Sequence, residues 1–542
     1  MKKKGFTLIE LLAVIIILAV IALIATPIIL NVVDSAKESA RKSSVAGFAD
    51  AMKLGVSDYM FQNSGDLPTI DEDFQKKYNS KGESVICEGV YSTDSYGIVL
   101  HNCKVGTNTT NYCFAKGNHY ACDDTTYNSM LEYAKNGVKP NTGYQDKSGA
   151  NKPELLDNMI PVKYENNNWV YADKSQEWYN YDNKEWANAV VLKSEVTKTV
   201  GQTITEDDIA LWYVWIPRYK YTIFNGNNEG VPEQEINVIF EKGTSKTGTV
   251  TCTTSTNGTG TPSSSETCTD STNGSIINGT STYTHPAFTF GDKELTGIWV
   301  GKFENSGTTS EMTIKPNVSS LRSTTVSAFF TGIQNLKTTY GISNGDSHMM
   351  KNMEWGAVAY LKQSKYGLGT TDIGINNNSG YITGCGASAG SGLSSTCNAY
   401  NTETGMKAST TGNIYGIYDM SGGTWEYVMG SMVNSSNDFY SSDAGFSSTP
   451  DSKYYDSYTY DTSNTSHGRG KLGDATKETL TTFGNNTGGW NSDRAIFVYY
   501  GHFLFIRGGH CDDGGNAGVF YFSCFDGGSY INHGSRSALV SE

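Results

Sequence analysis

The chain has 542 residues, too many for one ordinary domain, and length alone predicts about two to four. Charged residues make up 18% and hydrophobics 37%, with 59 glycines and 34 tyrosines, a globular but polar profile of short strands and many turns. The formal net charge is −14, and no basic cluster occurs beyond Lys2–Lys4, which argues against a nucleic-acid partner because phosphate neutralisation needs a basic face.

The chain opens with three lysines, then Gly5-Phe6-Thr7-Leu8-Ile9-Glu10 and an apolar run. From Leu11 to Val33 there is no charged residue, which at about 1.5 Å per residue is enough helix to span a bilayer. The lysines favour a cytoplasmic N-terminus. The run is too long for an ordinary signal peptide, and no small-residue cleavage site follows it. Glu10 places one carboxylate near its start, a costly feature in lipid that points to a function. Lys4-Gly5-Phe6-Thr7-Leu8-Ile9-Glu10 closely resembles the leader junction of type IV prepilins and pseudopilins, over residues 1–60. The resemblance implies that a prepilin peptidase cuts between Gly5 and Phe6 and that Phe6 is N-methylated. It implies that Glu10 pairs with the terminal amine of a neighbouring pilin subunit and that Pro27 kinks the helix, since proline removes a backbone hydrogen bond. Beyond the membrane segment 6–33, Val45, Phe48, Met52, Val56 and Tyr59 recur at three- and four-residue steps, an amphipathic stripe for a head domain. Asn63-Ser64-Gly65 and Pro68 end the helix.

The middle of the chain carries weaker signals. Residues 66–155 mix short β-like runs with turns, such as Val90–Val99 and Tyr112–Cys122, as a small pilin-like head would. Residues 164–190 hold an aromatic repeat (Trp169, Tyr171, Trp178, Tyr181, Trp186) whose Asp/Asn/Lys turns predict a β meander. Structural packing is its expected use, against a carbohydrate-binding platform. Residues 243–284, rich in Ser, Thr and Gly, read as an exposed insertion or long loop. Ten cysteines occur without a CxxC pair, so zinc-ribbon and thioredoxin readings lose their usual signal. Cys113–Cys122, Cys252–Cys268 and Cys385–Cys397 flank short polar loops and are candidate local disulfides in an exported head, with connectivity left open.

From about Leu211 the pattern becomes more regular. Trp212–Tyr221 and Gly297–Glu304 read as strands. Val326, Phe330 and Ile333 form one helical stripe, and Met350, Met353, Ala357 and Tyr360 a second. Glycine-rich strands and loops follow, including Tyr418-Asp419-Met420-Ser421-Gly422-Gly423-Thr424-Trp425-Glu426-Tyr427-Val428 and Arg507-Gly508-Gly509. This order predicts an α+β domain. It resembles the formylglycine-generating-enzyme branch of the C-type lectin fold over residues 205–542, with Gly423 where that branch usually has Asn. The oxidase activity of that branch implies two nearby cysteines binding copper shortly after Arg-Gly-Gly. Cys511 and Cys524 stand thirteen residues apart, at the wrong offset, and no Ser/His/Asp or HExxH constellation replaces them. The fold resemblance therefore carries no activity with it.

The segment from Arg507 to Val540 resembles the variable region of diversity-generating retroelement target proteins, such as phage receptor-binding proteins. Its anchors are Arg507-Gly508-Gly509, Asn516-Ala517-Gly518-Val519-Phe520 and Gly534-Ser535-Arg536. Adenine-directed mutagenesis of Asn codons cannot yield Lys, Glu, Gln, Met or Trp. Those five make up about one residue in six of the chain, so about four are expected among His510–His533, and none is there. A Gly/Asn/Asp-rich loop would also lack Lys and Met, but it would not mix in Cys, Phe, Tyr, Ile and His. The candidate variable binding residues are His510, Cys511, Asp512, Asp513, Gly515, Tyr521, Ser523, Cys524, Phe525, Asp526, Ser529, Tyr530, Ile531, Asn532 and His533. A metal site at His510, Asp512, Asp513 and His533 competes, but the mixed spacing gives no coordination pattern. Tyr521, Phe525 and Tyr530 are the expected aromatic anchors of a paratope-like surface.

Together these readings predict an α+β protein: a cleaved leader at 1–5, a membrane-embedded pilin helix at 6–62, a β-rich pilin-like head with the aromatic meander at 63–190, and a C-type lectin fold domain at 191–542 with variable region 507–540. The expected function is surface-displayed, non-enzymatic binding of a protein or glycan, associated with a pilus and held in the cytoplasmic membrane before assembly. No cofactor or metal is expected. A structural minor pilin or pseudopilin, and a formylglycine-generating-type oxidase, are the alternatives.

Overall fold

The computed structural model describes residues 8–62, 70–78, 84–93, 97–136, 144–193, 198–226, 229–248, 250–256, 262–270, 276–436, 438–440, 444–483 and 488–542. The chain divides into two compact units, Met1–Thr142 and Gly143–Glu542.

In the first unit one helix runs from Leu8 to Gln62. Its large apolar side chains between Leu8 and Val33, such as Leu12, Ile16 and Leu23, are exposed. Among the described residues no helix is long and apolar enough to cross a membrane; the side chains at 10, 24, 25, 27 and 28, inside the predicted 6–33 span, lie outside the described residues. Further along, Val45, Phe48, Met52 and Val56 are buried as the spacing predicts. They pack on a four-stranded antiparallel meander of Val85–Thr93, Gly97–Val105, Tyr112–Ala115 and Asn118–Tyr120. The strand period of two divides the sheet between its faces: Ile98 and Leu100 meet the long helix, while Val99 turns to Tyr127, Met130 and Leu131 of the helix Thr125–Asn136. Cys113–Cys122 closes as expected, and Cys87–Cys103, opposite one another in register, forms a second bridge not among the sequence candidates.

The second unit is built on a seven-stranded antiparallel sheet in the order Gly345–Met349, Ser537–Ser541, Gly297–Gly301, Ile209–Pro217, Asn188–Leu192, Ile160–Glu165 and Asn168–Tyr171. Every residue of Ile209–Pro217 is buried, which explains its continuous apolar run: both faces of this strand are covered. The aromatic meander belongs here, so the boundary predicted at 190 is corrected to 142. Adjacency in sequence had grouped it with the preceding head, but its strand Asn188–Leu192 is bonded to Ile209–Pro217. Trp169, Trp178, Tyr181 and Trp186 are buried. Tyr181 donates to the Trp215 carbonyl at 2.6 Å and Trp186 Nε1 to the Tyr366 carbonyl at 2.8 Å, which makes these rings core rather than a platform.

The helices Val326–Thr339 and Asn352–Lys362 follow the predicted stripes, and the second is buried on all sides. Residues 243–284 contain a hairpin, Val250–Thr256 with Pro262–Asp270, where a loop was expected. Cys252 and Cys268 face each other in its backbone register, and their side chains lie outside the described residues. Cys385–Cys397 is bonded. A second, five-stranded sheet carries the candidate site: Asp456–Tyr458, Trp425–Met432, Leu504–Gly508 and Gly518–Phe525 in order, with His533–Ser535 pairing parallel to Trp425–Met432.

Candidate ligand-binding face

Three anchors frame residues 510–533, and each is fixed by buried polar contacts. The Arg507 guanidinium is fully buried and donates to Asn352 Oδ1 at 3.1 Å and to the carbonyls of Asp474, Ala475 and Val519 at 3.2, 3.0 and 3.4 Å. Gly509 has φ +81°, and a Cβ there would meet that of Ala517 at 2.6 Å, so the chain reverses where a side chain cannot fit. Gly518 lies against the Asp493 carboxylate, whose Cγ would sit 2.5 Å from an added Cβ. That carboxylate accepts from Phe520 N at 2.9 Å. Burial, with Asp372 nearby, raises the Asp493 carboxyl well above the usual range. At the far end Arg536 pairs with Glu426 inside the core and donates to the carbonyls of Gly301 and Tyr418 at 2.8 and 2.9 Å. The anchors thus bolt the segment to both sheets and to the helix Asn352–Lys362.

Between the anchors the fifteen candidate residues separate by exposure. Asp512, Gly515, Ser529 and Ile531 are exposed, and Asp513, Phe525, Asp526, Tyr530 and Asn532 are half-buried. His510, Cys511, Tyr521, Ser523, Cys524 and His533 are buried, contrary to an open loop. For Tyr521, Ser523 and Cys524 the cause is local: Gly518–Phe525 is a strand covered on both faces, bonded to Leu504–Gly508. Tyr521 is therefore a packing residue, while Phe525 and Tyr530 remain at the surface of the cluster.

The rings of Phe525, Tyr530 and His533 gather with Tyr427 and Trp425 into one aromatic cluster. The His533 ring lies 4.6 Å from Phe525, 4.8 Å from Tyr427, 5.1 Å from Tyr530 and 5.3 Å from Trp425 between centroids. Burial pushes His533 down to about 3, with Asp526 opposing and His510 adding to the shift, so it is a neutral ring at neutral pH. Asp513 Oδ2 accepts from Trp425 Nε1 at 3.0 Å and from His510 N at 2.8 Å. His510 Nδ1 contacts Asp512 Oδ1, and its Nε2 meets the Tyr381 hydroxyl at 2.8 Å. Asp526 accepts from Tyr530 OH at 2.7 Å and Gly528 N at 2.9 Å. The Asp513 and Asp526 carboxylates are engaged within the protein. Among the described residues no group of three or more His, Cys, Asp and Glu is placed to hold a metal ion. Cys511 and Cys524 are unbonded to each other, and burial raises both thiols to about 12.

Sequence reasoning missed the residues that frame this face from elsewhere. The Arg322 guanidinium lies 3.9 Å over the Tyr381 ring and donates to the Ile531 carbonyl at 2.6 Å. Ser323 N donates to the Tyr530 carbonyl at 2.9 Å. Tyr381 holds φ +55°, an unusual conformation for a bulky residue that surrounding contacts must impose. Nothing local in the sequence marks Arg322 or Tyr381. Trp425 stood in a recognised block but was taken as a fold residue, and the structure places it at the centre of the face.

At the other end of the chain, Gly5 and Phe6 lie outside the described residues, and Glu10 stands in the long helix with its side chain outside them. The family model for the prokaryotic N-terminal methylation motif matches residues 1–26. No curated protein matches the chain. The motif marks a type IV prepilin-like N-terminus, of the kind found in pilin- or pseudopilin-type surface proteins. It implies processing by a prepilin peptidase, assembly with other pilins, and a membrane-anchored stage before display on a pilus.

Proposed function

We propose that this protein is a surface-displayed binding protein without enzymatic activity, carried on a type IV pilin-like helix, and that its ligand docks on the aromatic face of residues 510–533. The peptidase would cut after Gly5, residues 6–33 would hold the precursor in the membrane, and Glu10 would meet a neighbouring subunit's terminal amine. The two-sheet unit is read as a C-type lectin fold, and the segment between its anchors as the target of retroelement diversification.

One observation carries this reading. The anchors Arg507, Gly509, Gly518 and Arg536 are immobilised by buried partners, while the segment between them lacks all five residue types that Asn-codon mutagenesis cannot make. Its exposed positions Asp512, Gly515, Ser529 and Ile531 lie around the half-buried rings of Phe525 and Tyr530, a division that suits binding: rings supply contact area at low rotamer cost, and Ser, Asn and Gly adapt. A head that only assembles into a filament has no need of such a division.

Sequencing this locus across many cells of one strain tests the reading. Substitutions should concentrate in codons 510–533, spare the anchors, and trace to a near-identical template repeat beside a reverse transcriptase gene. A uniform spread of substitutions along residues 143–542 overturns it.

A further inference from the structure

A recess lies in the same unit, lined by residues outside the 510–533 segment. It is an open groove of about 580 Å³ between residues 309–310, the helix Val326–Thr339 and residues 445–450. That volume falls within the ~300–1,000 Å³ of small-ligand clefts. From its chemistry we infer that this groove is a binding site for a neutral saccharide, independent of the ligand proposed for the aromatic face.

The lining contains no charged side chain. In a chain of net charge −14, a recess of this size without a charged side chain offers an ionic ligand no counter-charge. Its polar groups are hydroxyls and one amide: Ser327 and Thr331 on the helix, Asn335 one turn further, and Ser447 and Ser448 on the opposite wall. Hydroxyls both donate and accept, and an amide offers two donors and an acceptor. That is the complement of a polyol, whose every oxygen also does both. The side chains of Asn335, Ser447 and Ser448 have no hydrogen-bond partner among the described residues, so their capacity is free for a ligand. The half-buried Phe446 supplies the apolar part, its ring edge to face on the buried Phe330 at 5.5 Å, and the C–H face of a sugar ring can rest against it.

The groove is also held in shape before any ligand arrives. Ser327 N donates to the Ala444 carbonyl at 3.0 Å and Val326 N to the Gly527 carbonyl at 3.0 Å. Gly445, at φ +81°, brings its backbone so close to Ser327 that an added Cβ would lie 2.6 Å from Ser327 Oγ. The start of the helix and Gly445 are therefore fixed by backbone contacts, and a ligand need not order them, which removes one cost of binding. The bond to Gly527 also ties the helix of the groove to the 510–533 segment.

The test uses the full chain and three neutral trisaccharides, of glucose, mannose and N-acetylglucosamine, in saturation-transfer NMR. At least one should take up saturation at its ring C–H protons, as stacking on Phe446 requires. Asn335→Leu and Ser448→Val remove hydrogen-bonding groups from exposed positions and should each weaken that sugar by about fivefold, the worth of one net hydrogen bond, with the melting curve unchanged. Ile531→Ser, on the aromatic face, should leave the sugar titration as it was. No transfer to any of the three, or a titration insensitive to both groove variants but sensitive to Ile531→Ser, overturns the assignment. Tighter binding of N-acetylneuraminic acid than of every neutral sugar also overturns it.

Discussion

The separation of anchors from display positions can be tested on stability alone, before any ligand is known. A triple variant, Asp512→Asn, Ser529→Tyr and Ile531→Ser, alters three exposed positions, of which Ile531 is 71% exposed. Exposed substitutions away from special features usually change stability by less than about 0.5 kcal/mol each, so the total should stay under about 1.5 kcal/mol. Arg507→Ala is the contrasting perturbation. It removes four buried hydrogen bonds, strands the carbonyl of Ala475, and leaves a cavity beside Trp355, whose ring the guanidinium overlies at 5.6 Å. Bonds from charged groups are worth about 1.5–3 kcal/mol each, though not additively. A loss of about 4–5 kcal/mol is therefore expected, at the upper end for a single substitution. At about 2 °C per kcal/mol, the low end for large domains, the triple variant should melt within about 3 °C of the parent and Arg507→Ala about 8–10 °C below it. Scanning calorimetry on the full chain separates the two units' transitions. Equal losses for the two variants would refute the argument that the segment is displayed from a rigid frame.

Three further outcomes follow from the same observations. Mass spectrometry of the mature N-terminus should find methylated Phe6 after loss of five residues; an intact Met1 or a cut beyond residue 30 would refute the pilin reading. Glu10→Ala should leave membrane insertion intact while reducing incorporation into filaments, because a lone carboxylate in lipid needs the neighbour's amine; normal incorporation would assign Glu10 another role. His533 is held down to about 3 from an ordinary value of 6.5, so the unfolded chain takes up a proton that the fold excludes, and stability falls as pH drops from 6.5 toward 3. At about 1.4 kcal/mol per pH unit, His533→Phe should retain about 2–3 kcal/mol more of its stability than the parent does between pH 6.5 and 4.5, read from melts at both; parallel losses in the two proteins would show that His533 is not the excluded site.

Much of the scaffold was legible because it rests on local spacing. Val45, Phe48, Met52 and Val56 recur at helical steps, and these are the residues the meander buries. The strand at Trp212 was visible in its aromatic and β-branched run, although its length of burial on both faces reads the same as a buried helix segment would. What local spacing cannot carry is pairing. The meander at 164–190 reads equally well as the end of one head or the start of the next, and only the ladder from Asn188–Leu192 to Ile209–Pro217 decides it. The hairpin within 243–284 was hidden by composition: its strands are built of Thr and Ser, which mark loops as readily as strands. At the candidate face the missing residues are those brought in by tertiary contact. Arg322 and Tyr381 lie more than a hundred residues before the segment they brace, and no spacing rule reaches that far.

The burial of six candidate positions changes what a diversified face of this kind would offer. Tyr521, Ser523 and Cys524 stand on a strand with no open side, so any replacement there must match volume and leave no orphaned polar group, or cost about 1–3 kcal/mol in overpacking or desolvation. Variation at those positions would tune the strand and not sample new contacts. Chemical novelty would have to come from Asp512, Gly515, Ser529 and Ile531, which are exposed, and from Phe525, Tyr530 and Asn532 at the margin. Four positions of small contact area are a thin basis for affinity, since interface energy concentrates in a few aromatic or arginine side chains. The side chains that fill that role here are framework residues: Trp425, braced by Asp513, and Tyr381, stacked beneath Arg322. Affinity would then rest mainly on a fixed aromatic floor, and the exposed positions around it would choose among ligands. Trp425→Leu should accordingly weaken every ligand selected from a library varied at the exposed positions, whereas Ile531→Ser should weaken some and spare others. A panel of variants in which Trp425→Leu proved as selective as Ile531→Ser would place the affinity in the variable residues instead.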